Sequence, residues 1–196
     1  MPRRSRNDSR NRRTSVRERI LATVDELFYG RGTRNVGIDQ IIAESGVAKA
    51  SLYQHFASKD ALVLEFLRQR HTAWREWFER AVADRAEQPR ARLLAVFDVL
   101  EEWFGDPNFR GCPFINTTVE VANPAHPAHQ ISADVKRQFR TSLRQLAAAA
   151  GLEDPDGLAA QLALLVEGAI VTALMEQSPA AAGEARAAAA RLIAAH

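Results

Sequence analysis

GVAKASLYQHFASKD, residues 46–60, is a short apolar helix set off by a glycine and carrying Lys49, Ser51, Tyr53, Gln54 and His55 with little acid nearby. Gly46 can adopt the positive φ that a tight bend needs without steric cost. Just upstream, Ile38, Ile41 and Ile42 share one face of a helix expected over about 38–45. Val47 and Leu52 complete a seam with Ile41 and Ile42, so Leu52 turns inward and Lys49, Ala50, Ser51, Tyr53 and Gln54 occupy the opposite face. Short helices meeting at a glycine bend form a helix-turn-helix. Ala48 and Ala50 are small enough for that second helix to lie close in a major groove. Gln54 can contact adenine with two hydrogen bonds, and Lys49 can reach guanine or a phosphate. Ser51, Tyr53 and His55 suit phosphate oxygens, which fix register without reading sequence. Lys59 stands at the start of the next helix, where free amides and the helix dipole also favour phosphate.

Working outward, nearly every segment predicts helix, and strand alternation is missing. Ser15 and Glu18 are spaced as a capping box, opening a helix whose stripe is Ile20, Leu21, Val24, Leu27 and Phe28 and which Gly30 and Gly32 end. Ser58 opens a long helix to about Ala86, Pro89 another, and Pro113 a short one to about Val121. A helix over about 127–149 follows, then an apolar one over 157–176 with Asp156 as its expected cap, and a last one after Pro179. The expectation is an all-α chain of about nine helices.

Composition narrows the function classes. Apolar residues make up 46% and charged residues 26% of the 196, as in an ordinary globule. A single cysteine, Cys112, allows no intrachain disulfide and fits a reducing compartment. The opening MPRRSRNDSRNRR lacks the apolar core of a secretory signal. Over 158–175 the apolar run approaches a membrane span, but Gln161, Glu167 and Gly168 interrupt it, so a buried or subunit-contacting helix is expected. The net charge of +2 divides into +5 over residues 1–60 and −3 over the rest, a basic front end suited to a polyanion. Six arginines within residues 1–13 read as a disordered basic arm over 1–14 that adds salt-dependent affinity for DNA.

From about Arg17 to Leu64 the chain resembles the DNA-binding domain of the TetR family, the tetracycline-repressor-like bacterial regulators. GVAKASLYQHFASKDAL matches that family's most specific signature almost position for position. The resemblance implies a helix-turn-helix domain over 15–57 and a ligand-binding and dimerisation domain over 58–196. It also implies a cytoplasmic, non-enzymatic homodimer that binds a palindromic operator on double-stranded DNA, with no cofactor and no membrane. One departure is plain: the family often has threonine before the second helix, where Val36 and Gly37 stand here. A backbone contact at that point must then come from an amide or from Thr33.

In the body, the resemblance places a small effector among the fourth to seventh helices. The aromatic and polar candidates there are Trp74, Phe78, Trp103, Phe104, Phe114, Asn116, Thr117 and Glu120, a set suited to a mostly apolar ligand. The last two helices would build the dimer, with Leu162, Leu165, Val166, Ala169, Ile170, Ala173 and Leu174 as the apolar face. Cys112, beside Arg110 at a helix start, is a candidate for sensing oxidants or electrophiles. Cys112, Glu120, His126 and His129 are metal-ligand types, but prolines and loop spacing argue against a metal site. No nucleophile, base and orienting group stand at a spacing that suggests an enzyme.

Overall fold

The structure is a computed structural model that describes residues 15–196, so the basic arm read at 1–14 lies outside the described residues. Among these residues there are nine helices and no strands. They are α1 (Val16–Arg31), α2 (Ile38–Ser45), α3 (Lys49–His55), α4 (Lys59–Arg85), α5 (Pro89–Phe104), α6 (Pro113–Val121), α7 (Pro127–Ala149), α8 (Pro155–Glu176) and α9 (Ala180–Ala195).

The head is α1 to α3. The capping box forms as the spacing requires: the Ser15 hydroxyl accepts from the Glu18 amide at 3.2 Å and Glu18 accepts from the Ser15 amide at 2.7 Å. Ile20, Leu21, Val24, Leu27 and Phe28 are all buried, each side chain contributing about 1.5–3 kcal/mol relative to exposure. Gly46 ends α2 in the left-handed conformation at φ 64°, which swings α3 across α2 with Ile41 and Leu52 completely buried. α4 spans both parts of the molecule. Its first turns pack on the head, where Phe66 meets Phe28 edge-on at 5.7 Å, and its later turns pack on α5 and α7.

In the body, α5 lies against α4, α7, α8 and α9, and α8 runs between α7 and α9. Helix α8 is long and apolar enough to cross a membrane by length and composition, yet its inward side is part of this bundle. Its cap differs from expectation. Asp154, not Asp156, accepts from the Gly157 amide at 3.0 Å, because Pro155 takes the first helical position and places the cap one residue before it.

Candidate nucleic-acid interface and effector cavity

The seam of Ile41, Val47 and Leu52 presses one side of α3 into the head, and the other side is left uncovered. Lys49, Ala50, Tyr53, Gln54 and His55 are exposed and Ser51 is half-buried, so the residues read as a DNA face do share one open surface. Lys49 reaches Asp39 at 3.2 Å, an exposed pair that a phosphate can replace at little cost. Lys59 is less free. Its ammonium donates to the Arg34 carbonyl at 3.2 Å, which ties the start of α4 to the loop before α2 and leaves two of its three protons for another acceptor. Gly37 caps α2 without any side-chain bond, as the missing threonine implied. Thr33 cannot replace that contact: it is buried, and its hydroxyl donates to Glu120 at 2.6 Å.

Two of the body's cavities share the aromatic cluster around Trp74. The larger, about 410 Å³, opens between α4, α5 and α7 and is lined by Trp74, Phe78, Val96, Phe139 and Leu143 with His71, Arg75 and Arg92. The smaller, about 230 Å³, reaches toward the head and is lined by Tyr29, Arg70, Trp103, Cys112, Phe114 and Lys136. Trp74, Val135 and Phe139 wall both. Trp74 stacks on Phe78 at 4.5 Å and stands edge-on to Phe139 at 5.9 Å, and its indole N–H is buried without a hydrogen-bond partner.

Of the expected pocket residues, Trp74, Phe78, Trp103 and Phe114 line these cavities. Phe104 instead packs in the core against Trp103 and Phe109. Asn116, Thr117 and Glu120 sit elsewhere, along a cleft between α6 and the head. Asn116 donates to the Arg110 carbonyl at 2.9 Å, Thr117 is buried, and Glu120 accepts from the Thr33 hydroxyl and from the Arg34 amide at 3.0 Å. Glu120 therefore clasps the body to the head. Tyr29 reinforces the join, donating to the Gly111 carbonyl at 3.1 Å while accepting from the Arg110 amide at 3.0 Å. Burial raises the Tyr29 pKa above its ordinary value, against the lowering effects of that amide and of Arg70.

Cys112 is buried in the smaller cavity's wall, not open to solvent. Lys136 lines that cavity too and pairs with Glu167 at 2.7 Å, with Cys112 its other electrostatic partner. Burial favours the neutral amine there, but the two partners outweigh it and the pKa of Lys136 is raised. Cys112, Glu120, His126 and His129 do not converge, and the described residues contain no group of three or more His, Cys, Asp or Glu placed to hold a metal.

Residues 20–66 match the family described as bacterial regulatory proteins, tetR family, and residues 89–189 match the tetracyclin repressor-like C-terminal domain. The chain belongs to the TetR family. The crystal structure of SCO4454, a TetR-family transcriptional regulator from Streptomyces coelicolor, superposes with a TM-score of 0.85 at 29% identity, covering 91% of this chain and 94% of that one. A TetR-type regulator from Streptomyces avermitilis, sav143, gives 0.74 at 35% identity over 84% and 89% of the two chains. The HTH-type transcriptional regulator YjdC of Escherichia coli is 24% identical over 84% of this chain and 86% of its own length. The molecule is thus a TetR-family helix-turn-helix transcriptional regulator.

Most of the residues expected at a dimer face are already covered within this TetR-family chain. Leu162, Val166, Ala169, Ile170 and Ala173 are buried inside the protomer, and Leu165 and Leu174 are half-buried against the core. The outward side of α8 carries Leu164, Val171 and Met175, which are 72%, 41% and 78% exposed. Among the cavity residues that sequence reasoning missed are Tyr29, Arg70, Arg75, Arg92, Val135 and Phe139. Val135, Phe139, Leu143 and Leu146 recur at helical spacing on α7, a stripe that reads equally well as plain core.

Proposed function

We propose that this regulator acts as a homodimeric repressor in the cytoplasm, released from a two-fold symmetric operator by a small, mostly apolar effector. The observation that carries the reading is the open face of α3, where Lys49, Ala50, Tyr53, Gln54 and His55 project from a helix locked in place by Leu52. Gln54 reads a base and Lys49, Ser51, Tyr53 and His55 hold phosphates. Two such helices must stand roughly 34–36 Å apart to enter successive major grooves. Along α8, Gln161, Leu164, Gly168, Val171 and Met175 recur at alternating steps of three and four residues, a seam suited to a second copy of the same helix, with Gly168 permitting close approach. Covering Leu164 and Met175 in this way removes two large apolar side chains from water.

The cavity walled by Trp74, Phe78 and Phe139 is the effector site, and α4, which lines it and continues into the head, is the lever. Effector and DNA favour different spacings of the two heads, so each weakens the other by one coupling free energy. Duplex binding by Lys49→Ala, Tyr53→Ala and Gln54→Ala variants tests the interface. Weakened binding with an unchanged fold is expected, and wild-type affinity in all three would overturn the assignment of α3.

A second reading rests on Cys112, a free cysteine that lines the smaller cavity together with Lys136. The thiolate is the form of a cysteine that reacts with oxidants and electrophiles. Burial limits access to reagents small enough to enter the cavity. If oxidant or alkylating agent leaves operator affinity unchanged while Cys112 is modified, this second reading fails.

A further inference from the structure

We propose that the effector of the larger cavity is an amphipathic organic anion, a carboxylate on a flat or branched apolar body. The inference rests on the reading of that cavity as the effector site. Its floor is apolar and buried: Phe78, Val82, Val96, Val135 and Leu143 are shielded from solvent, with Trp74 and Phe139 half-buried beside them. Its rim is polar, with Arg75, Glu79, Gln138 and Gln145 exposed and Arg92 half-buried. A ligand seated there leaves one end dry and the other among charges.

The charges decide the sign of that end. The lining carries Arg75, Arg92 and Glu79, a net of one positive charge, and none of the three forms an ion pair with another described residue. The smaller cavity differs. Arg70 is held by both oxygens of Asp25 at 2.5 and 2.7 Å, and Lys136 is held by Glu167 at 2.7 Å. The surplus charge of the two cavities therefore sits at the rim of the larger one. Arg92 is also fixed in place, its Nε–H donating to the Ala86 carbonyl at 2.9 Å, so its remaining N–H groups are held ready at reduced entropic cost. His71 feels the same field: its pKa is lowered first by burial and then by Arg75, against the raising effect of Glu79. A carboxylate gains charge-assisted hydrogen bonds from the two guanidiniums, whereas an ammonium at that position meets them as like charges.

Three probes of one shape separate the outcomes: 2-naphthoate, 2-naphthamide and 2-naphthylmethylamine, titrated calorimetrically into the full-length protein at neutral pH. Naphthoate should bind about tenfold tighter than the amide, with the amine weakest. Arg92→Gln and Arg75→Gln should each bring naphthoate toward the affinity of the amide and leave the amide unchanged. Equal affinity for acid and amide, a preference for the amine, or a naphthoate affinity indifferent to both substitutions overturns the anion assignment while an amide that still binds keeps the cavity as a site. If none of the three binds, the effector site itself is misplaced and the anion assignment falls with it.

Discussion

Replacing Gly32 by alanine should destabilise this protein on two independent grounds, backbone strain and a clash. Gly32 ends α1 at φ 84° and ψ 149°, a region open essentially to glycine alone, and forcing alanine into it costs about 1–3 kcal/mol. The added Cβ would also lie 2.4 Å from a Glu120 carboxylate oxygen. That end of the side chain is flexible in principle, but it is held by the Thr33 hydroxyl at 2.6 Å and the Arg34 amide at 3.0 Å, so yielding means giving up the clasp. Two hydrogen bonds to a charged group, discounted for partial exposure, add about 1–2 kcal/mol. The expected loss is about 3 kcal/mol, read by urea unfolding at one fixed protein concentration. In a Glu120→Ala background the clasp is already gone, and Gly32→Ala should then cost about 1–2 kcal/mol less than in the wild type. Strictly additive effects, or a Gly32→Ala protein within about 0.5 kcal/mol of wild type, would refute the clasp.

Other outcomes follow from the same geometry. Ser15→Ala removes the capping box of α1 and should destabilise the head by about 1 kcal/mol, seen as a lowered urea midpoint with an unchanged slope. Gln54→Ala should alter preference by about 1–3 kcal/mol at one base pair of each half-site, and a uniform loss across all sequences would make it a positioning residue instead. Deleting residues 1–13 should weaken binding and flatten its dependence on salt, and an unchanged slope would remove the arm from the interface. Alkali should be destabilising. The pKa values of Tyr29 and Lys136 are raised from 10.0 and 10.5, so the folded chain keeps protons that the unfolded chain releases. Stability from both groups is whole below pH 10 and falls as pH rises through their folded values, and Tyr29→Phe should reduce that slope in unfolding measured across alkaline pH.

The head was legible in sequence because its determinants are local. Gly46, the Ile41–Leu52 seam and the Ser15–Glu18 box each act within a dozen residues, and the side opposite Leu52 had to be the open one. The body was less so. Helix α8 is apolar nearly all round, and nothing in Leu164, Val171 and Met175 distinguishes them from Leu162, Val166 and Ala169 until α7 and α9 cover one side. Glu120 is a polar residue six positions from Phe114, which does line a cavity, yet its partner Thr33 lies 87 residues away in the head. Asp154 and Asp156 both suit a cap, and Pro155 decides between them. Phe139 and Val135 read as core because a cavity wall and a core obey the same periodicity.

The most direct measurement is selection of bound duplexes from a randomised pool, carried out in parallel with the wild-type chain and with Gln54→Ala. An α3 face that reads the major groove, presented twice, should enrich one inverted repeat and should lose its preference at a symmetric pair of positions in the variant. Enrichment of no sequence, or the same inverted repeat at equal strength from both proteins, would contradict it.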